Sequence, residues 1–146
     1  MDMKTNQTLY NVFIGYLTKK GNKLQAKRII DTVFFELAHK FDLPLSSILR
    51  KILRKMGSNV EIKTIKMKKN THVVPFAINQ KRKNYLLVKK IMDAVKEDTT
   101  NRSMANKLTD ELTGILLSAR SNKSLQKQKL SLKQAVLNRS NIHFRW

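Results

Sequence analysis

The chain has 146 residues, of which 30 are Lys or Arg and 10 are Asp or Glu, so its formal net charge at pH 7 is +20. A chain of this length is expected to form one domain, here residues 1–146, that buries roughly 70% of its unfolded surface. The hydrophobic content of 41% argues against a disordered tail, and the absence of Cys excludes disulfides and thiolate metal sites. No apolar run is long enough to span a bilayer, so we expect no membrane partner.

The spacing of apolar residues predicts three helices in the first part of the chain. The first lies near residues 7–20, and Gly21 suits a left-handed stop after it. Asn22 is placed to cap the second helix, while Pro44 and Gly57 bound the third. The positions expected to face the core in the second and third helices are Ala26, Ile29, Ile30, Val33, Phe34, Leu37, Ala38, Ile48, Leu49, Ile52, Leu53 and Met56.

From residue 59 the apolar period changes from 3.6 residues to 2. Two runs rich in β-branched residues flank a polar turn at residues 68–71, so the segment of about 59–78 is predicted to be a β-hairpin arm. Pro75 marks an edge or a strand end, because it cannot donate to a ladder. A two-stranded ribbon is only marginally stable in water, so it should lean on the helices or project and firm up against a partner.

Helical spacing returns at residues 86–95 and again at residues 104–116. Residues 118–129 are basic and have almost no core positions, which predicts an exposed loop or a solvated helix start. A final helix is predicted near residues 130–140. Its apolar positions are Leu132, Ala135 and Val136. The predicted fold class is therefore mainly α, a bundle of about six helices with one protruding β-hairpin.

The basic residues form clusters at the first helix junction, on the third helix, on the hairpin, before the fourth helix and in the late loop. The cluster on the third helix comprises Arg50, Lys51, Arg54 and Lys55. Any one cluster is also explained as a solvated face that keeps the protein soluble. Together they suit phosphates met from several directions, as in folded RNA, whereas duplex DNA usually meets one basic face. Tyr85, Phe144 and Trp146 are candidate stacking surfaces for bases, although core packing is the better interpretation of Tyr85.

Two other functional classes were weighed against RNA binding. A sequence-nonspecific DNA-packaging protein would share the charge and remains the alternative. A membrane-surface module is disfavoured, because the apolar faces are committed to one core. Catalysis finds little support: the three His are far apart, and the close pair Asp93 and Glu97 has Lys neighbours that explain it as helix ion pairing. With only four Gly there is no phosphate loop, so we expect no enzyme, metal, cofactor or small-molecule substrate.

Specific segments resemble the small-subunit ribosomal protein seven family. The end of the chain, Asn138-Arg139 followed by His143-Phe144-Arg145-Trp146, is similar to the closing signature of that family. Further similar segments are Phe13-Ile14, Gly21-Asn22-Lys23, Ile29-Ile30, Val60-Glu61-Ile62-Lys63, Thr71-His72-Val73-Val74-Pro75, Arg82-Lys83-Asn84-Tyr85-Leu86, Ser103-Met104-Ala105-Asn106-Lys107-Leu108 and Glu111-Leu112. The likeness runs in order over about residues 9–146.

The resemblance implies a structural protein of the small ribosomal subunit that binds the 3′ major domain of its rRNA and nucleates head assembly. It also implies a hairpin near the tRNA exit site and the mRNA path, with neighbouring head and platform proteins as partners. The expected rRNA contacts, with Trp146 packing or stacking, are Lys20, Lys23, Lys27, Lys63, Lys66, Lys68, Lys69, Arg82, Lys83, Lys127, Lys129, Arg139, Arg145 and Trp146.

The chain departs from the family pattern at several positions. Only Lys4 precedes the first helix where the family has a longer basic arm, and Lys68-Lys69 replaces a glycine pair at the hairpin tip. The late basic stretch of the family is here Gln126-Lys127-Gln128-Lys129-Leu130. The abundance of Lys, Asn and Ile suits an AT-rich organelle genome, and no presequence is visible. We therefore expect an organelle-encoded protein of the mitochondrial ribosome, with a plastid or the bacterial cytoplasm as the alternative.

Overall fold

The computed structural model describes residues 3–145, with side chains from Thr8 onward. In this part of the chain, six α-helices and a C-terminal 3₁₀ helix accompany one antiparallel hairpin, which confirms the predicted fold class. The elements in chain order are α1 (Met3–Leu17), α2 (Lys23–Phe41), α3 (Leu45–Met56), β1 (Val60–Met67), β2 (Asn70–Ala77), α4 (Gln80–Lys96), α5 (Met104–Leu117), α6 (Lys123–Leu137) and the 3₁₀ helix (Arg139–Arg145).

The core is formed by side chains of α1, α2, α3, α4 and α5. On α2 and α3 it is built from the faces that helical spacing predicts. On α3 every expected position is buried, and on α2 only Ile29 and Ala38 stand at the edge of the core. Phe13 of α1 meets Phe34 of α2 edge to face, with ring centroids 5.8 Å apart. Full burial of a side chain of this kind stabilises the fold by about 1.5–3 kcal/mol, so these faces hold the bundle together.

The junction between α1 and α2 is set by two consecutive residues with positive φ. The first helix ends at Leu17, earlier than the predicted residue 20, and Lys20 and Gly21 follow with φ of 51° and 78°. The side chain of Asn22 then accepts a hydrogen bond from the backbone of Gln25, as its predicted capping role requires. The left-handed stop at Gly21 is thus confirmed and reverses the chain into α2.

The sixth helix begins at Lys123, well before the predicted start near residue 130. Asn122 caps it by accepting from the backbone of Leu125 at 3.0 Å. Its buried side chains are polar: Ser124 bonds to Glu111 of α5, and Gln128 accepts from Lys90 of α4 at 2.5 Å. Hydrophobic periodicity does not detect a helix that is attached by hydrogen bonds. The prediction of an exposed loop therefore fails over most of residues 118–129, where its alternative of a helix start holds.

The apolar residues of α6 also lie differently from the prediction. Val136 is 72% exposed and Leu132 is 43% exposed, and Ala135 is only partly buried. Leu130 and Leu137 are exposed as well. The outer side of α6 thus carries apolar surface that the bundle does not cover.

The hairpin pairs from Val60 opposite Ala77 to Met67 opposite Asn70, which leaves Lys68 and Lys69 as a two-residue turn. Lys68 has a φ of 51°, a conformation that glycine adopts without strain and lysine does not. The hairpin leans on the helices, as the first of the two expected modes requires: β2 packs on the 3₁₀ helix and β1 packs on α6, whereas residues 66–71 at the tip are all exposed.

Candidate nucleic-acid interface

Most acidic side chains in the described part of the chain have partners within the protein, and they leave most of the cations there without a carboxylate partner. Among the described residues the ion pairs are Arg82–Glu61, Arg102–Asp110 and Lys127–Glu97, with N–O distances of 2.6, 2.9 and 2.6 Å. Other carboxylates accept from hydroxyl groups, in the pairs Asp31–Tyr10, Glu36–Thr109, Asp93–Tyr16, Asp98–Thr100 and Glu111–Ser124. The excess positive charge therefore lies on the protein surface, where an anionic partner can reach it.

The turn between α1 and α2 presents the first group of expected contacts. Lys20, Lys23 and Lys27 are all exposed, and none of them has a side-chain partner among the described residues. Lys23 opens α2 directly after the cap at Asn22, and Lys27 lies one helical turn further along. The three ammonium groups thus line one corner of the bundle.

The hairpin arm carries the second group. Lys63 and Lys66 on β1 point to opposite faces of the ribbon, since strand side chains alternate, and both are exposed. The Lys63 ammonium lies 5.3 Å from the centre of the Phe76 ring. Lys68 and Lys69 occupy the turn at the end of the arm. Cations on both faces and at the tip suit an arm that enters an anionic environment.

Arg82 on α4 connects this helix to the hairpin at the protein surface. Its guanidinium forms a forked interaction with Glu61 of β1, with Nη2–Oε1 and Nε–Oε2 distances of 2.6 and 3.0 Å. The hydrogen bond from Arg82 holds the pKa of Glu61 below its ordinary value. The same guanidinium lies 5.3 Å from the ring of Tyr85. Arg82 therefore links α4 to β1.

The C-terminal 3₁₀ helix holds the middle of β2. Arg145 donates through Nε and Nη2 to the carbonyl oxygen of Pro75 at 3.0 and 2.6 Å, and Asn141 donates to that of Val73 at 3.1 Å. The ring of Phe144 stacks on His72 with centroids 4.0 Å apart. Phe144 thus has an internal partner rather than a free face for a base. Trp146 lies outside the described residues.

The late part of the chain presents a mixed group. Lys127 is held by its ion pair with Glu97, whereas Lys129 and Arg139 are exposed and have no side-chain partner in the described part of the chain. Lys90, which the sequence did not single out, is half-buried between α4 and α6, and burial lowers its pKa. Its role in joining α4 to α6 is seen only in its contact with Gln128, and no local sequence pattern predicts that contact.

Other kinds of site find no support in the described residues. No group of three or more His, Asp or Glu side chains there is arranged to hold a metal ion. Within the same residues, none of the helices has the length and apolar character needed to cross a membrane.

The fold and the charge distribution define a class of protein, a small basic helical bundle with a β-arm and a surface suited to an anionic partner. The chain belongs to the ribosomal protein S7p/S5e family, whose model matches residues 1–139. It is therefore a structural component of the small ribosomal subunit and not an enzyme.

Individual relatives agree with this assignment along nearly the whole chain. The small ribosomal subunit protein uS7 of Buchnera aphidicola subsp. Cinara cedri is 30% identical over 147 residues, covering 99% of this chain and 91% of the relative. The proteins of the same name from Wigglesworthia glossinidia brevipalpis and Vibrio atlanticus are each 26% identical, with the same coverage of both chains.

Proposed function

We propose that the protein binds the 3′ major domain of the small-subunit rRNA and nucleates assembly of the subunit head. The observation that carries this proposal is the surplus of exposed Lys and Arg side chains without carboxylate partners in the described structure. Membership of a ribosomal family supports RNA as the polyanion that these side chains meet. Phosphate contacts position a protein on RNA but do not read the RNA sequence. Recognition of the right RNA therefore depends on the shape of the folded RNA.

The candidate residues divide into direct contacts and residues that hold the contacting elements. Direct contacts are assigned to Lys20, Lys23, Lys27, Lys63, Lys66, Lys68, Lys69, Lys83, Lys129 and Arg139. Arg82, Lys127 and Arg145 have strong internal partners. They contribute chiefly by fixing the hairpin, α6 and the 3₁₀ helix, and only their outer edges remain for RNA.

The hairpin tip is proposed to lie near the mRNA path and the tRNA exit site. Replacing Lys68 and Lys69 by Glu should impair mRNA or tRNA handling more than head assembly, because the tip is exposed and contributes nothing to the core. Ribosome profiles report assembly, and translation assays on the purified subunits report handling. Lys40→Glu with Lys133→Glu is a control with the same charge change at exposed positions elsewhere. Normal translation with both tip changes would contradict this placement.

Neighbouring head and platform proteins are proposed as further partners. The exposed apolar side chains of Leu130, Val136 and Leu137 on α6 support this, since an isolated protein gains nothing by leaving them in water. Cross-linking of native subunits followed by mass spectrometry would show α6 joined to another subunit protein. Cross-links from α6 to rRNA alone would contradict the assignment of this face.

Competition binding tests the choice of RNA over DNA. The full chain should bind a transcript of the 3′ major domain in preference to duplex DNA of equal length at matched salt. Equal affinity for the two would favour the alternative of a sequence-nonspecific DNA-packaging protein.

The mitochondrial ribosome is the proposed location, supported by the abundance of Lys, Asn and Ile in the chain. Antibody detection in fractionated cells of the source organism should find the protein in mitochondrial small subunits. Its presence in plastid subunits, or in those of a bacterial cytoplasm, would contradict this location while leaving the ribosomal role intact.

A further inference from the structure

Three basic side chains that are separate in sequence converge on a cavity between α3 and α4. The cavity has a volume of about 440 Å³. Arg50 and Arg54 lie one helical turn apart on α3 and form one wall, while Lys83 of the first turn of α4 forms another. Leu53, which is almost fully buried, and Gly57 complete the lining. Of these three residues only Lys83 was expected from the sequence to contact rRNA, and its proximity to the two arginines appears only in the fold.

Gly57 allows Lys83 to reach this cavity. A Cβ atom at residue 57 would lie 2.6 Å from Cε of Lys83 and 3.3 Å from its Nζ, so the lysine side chain crosses the backbone where a larger residue would block it. Asn59 then accepts a hydrogen bond from Lys83 Nζ at 2.9 Å. The ammonium group is thus held in place before any ligand binds.

The charge of the cavity is not neutralised by the protein. None of the described residues that line it is acidic, and neither Arg50 nor Arg54 has an ion pair or a side-chain hydrogen bond within the described structure. Lys55 on the same helix behaves differently, since its Nζ donates to Leu116 O and Ser118 Oγ at 2.5 and 2.7 Å at the end of α5. Of the four basic residues in the α3 cluster, Lys55 is therefore engaged within the protein, whereas Arg50 and Arg54 remain available to bind an anion.

We propose that the cavity formed by Arg50, Arg54 and Lys83 binds one backbone phosphate of RNA together with its sugar. Two guanidinium groups offer forked donors that match phosphate oxygens, and the ammonium adds a fixed third charge. The volume falls in the range of about 300–1,000 Å³ that small-molecule pockets occupy, which gives room for more than a bare phosphate. This inference rests on the proposed rRNA binding and adds a defined site to it.

Phosphate ethylation interference on the 3′ major domain transcript tests the site. With the wild-type chain, ethylation of a small set of phosphates should block binding. In Arg50→Gln with Arg54→Gln the interference should disappear at one or two of those phosphates and persist at the others. Affinity should fall about tenfold for each arginine, as expected for lost charge-assisted hydrogen bonds. Arg54→Lys should fall in between, because it keeps the charge and loses the fork.

The control is Lys40→Gln with Lys133→Gln, which removes the same charge from two exposed positions outside the cavity. It should retain the complete interference pattern, and circular dichroism verifies that every variant is folded. If the arginine variant matches this control in pattern and affinity, the phosphate site is wrong while rRNA binding stands. If the wild-type chain does not bind the transcript, both are wrong. Inorganic pyrophosphate is the probe for a free anion. If the arginine changes abolish its binding but leave the RNA affinity and the interference pattern unchanged, the cavity serves a free anion and the inference is overturned.

Discussion

Gly57 is a position where adding one methyl group should lower the stability of the fold. Its N–H donates to Leu53 O at 2.9 Å, and a Cβ atom there would lie 2.4 Å from that same oxygen. Gly57→Ala should therefore lower the free energy of unfolding by about 1–3 kcal/mol, the usual effect of forcing atoms into a packed site. Urea denaturation followed by circular dichroism measures this change.

Gly15 provides the matched comparison for this substitution. Apart from the chain neighbours of Gly15 and the adjacent backbone of α1, no atom lies within 4 Å of a Cβ built at Gly15, and the residue stands inside α1. Gly15→Ala should raise stability by roughly 0.5–1 kcal/mol, because alanine loses less backbone entropy in a helix. Equal effects at both glycines would show that the close approach at Gly57 is not present in solution.

The ion pair between Glu61 and Arg82 should give the hairpin a pH-dependent attachment. The hydrogen bond from Arg82 lowers the pKa of Glu61 from 4.5. The stability that it contributes is present above pH 4.5 and is lost as the pH falls through the lower pKa of the folded state. Glu61→Gln should thus reduce the melting temperature at pH 7, and the difference from wild type should vanish in acid.

Asp110→Asn is the control for this pH dependence. It breaks the ion pair with Arg102, in which both side chains are more than half exposed, so little stability should change at any pH. A Glu61→Gln difference that persisted unchanged at pH 2 would contradict the role of the carboxylate charge.

At the scale of elements, those attached by apolar packing were predictable from the sequence, and those attached by hydrogen bonds were not. The faces of α2 and α3 were predictable because each helix carries a dense row of apolar side chains on one side, and packing that side against the other helices removes the whole row from water. The hairpin was predictable because its apolar residues alternate with a period of 2. Its hydrogen bond from Arg145 to the carbonyl oxygen of Pro75 was not predictable, because these residues are far apart in sequence. The start of α6 was missed because Ser124 and Gln128 attach it by hydrogen bonds.

The candidate interface was likewise predictable from the sequence only in part. Composition and clustering predicted that cations dominate the surface, since ten acidic residues cannot pair with thirty basic ones. Which cations remain available is a tertiary property: Arg82 pairs with Glu61, whereas Arg50 and Arg54 line a cavity with Lys83. Local sequence carries no signal for these differences.

The whole molecule should unfold as one cooperative unit, because buried side chains of five helices form one continuous cluster. Its net charge should oppose the folded state through self-repulsion, which salt screens. The melting temperature of the isolated protein should therefore rise between about 50 and 300 mM salt. Calorimetry measures both properties. Two separate transitions would contradict the single unit, and a melting temperature that fell with salt would contradict the repulsion.

The salt dependence of rRNA binding tests the central claim most directly. On the order of ten neutralised phosphates predict a log–log slope of about −7 to −9 between the association constant and the salt concentration. Filter binding or fluorescence titration of the full chain with the 3′ major domain transcript gives this slope. A steep slope in that range is the expected result, and a slope near zero, or no binding at low salt, would show that the positive surface is not neutralised by rRNA.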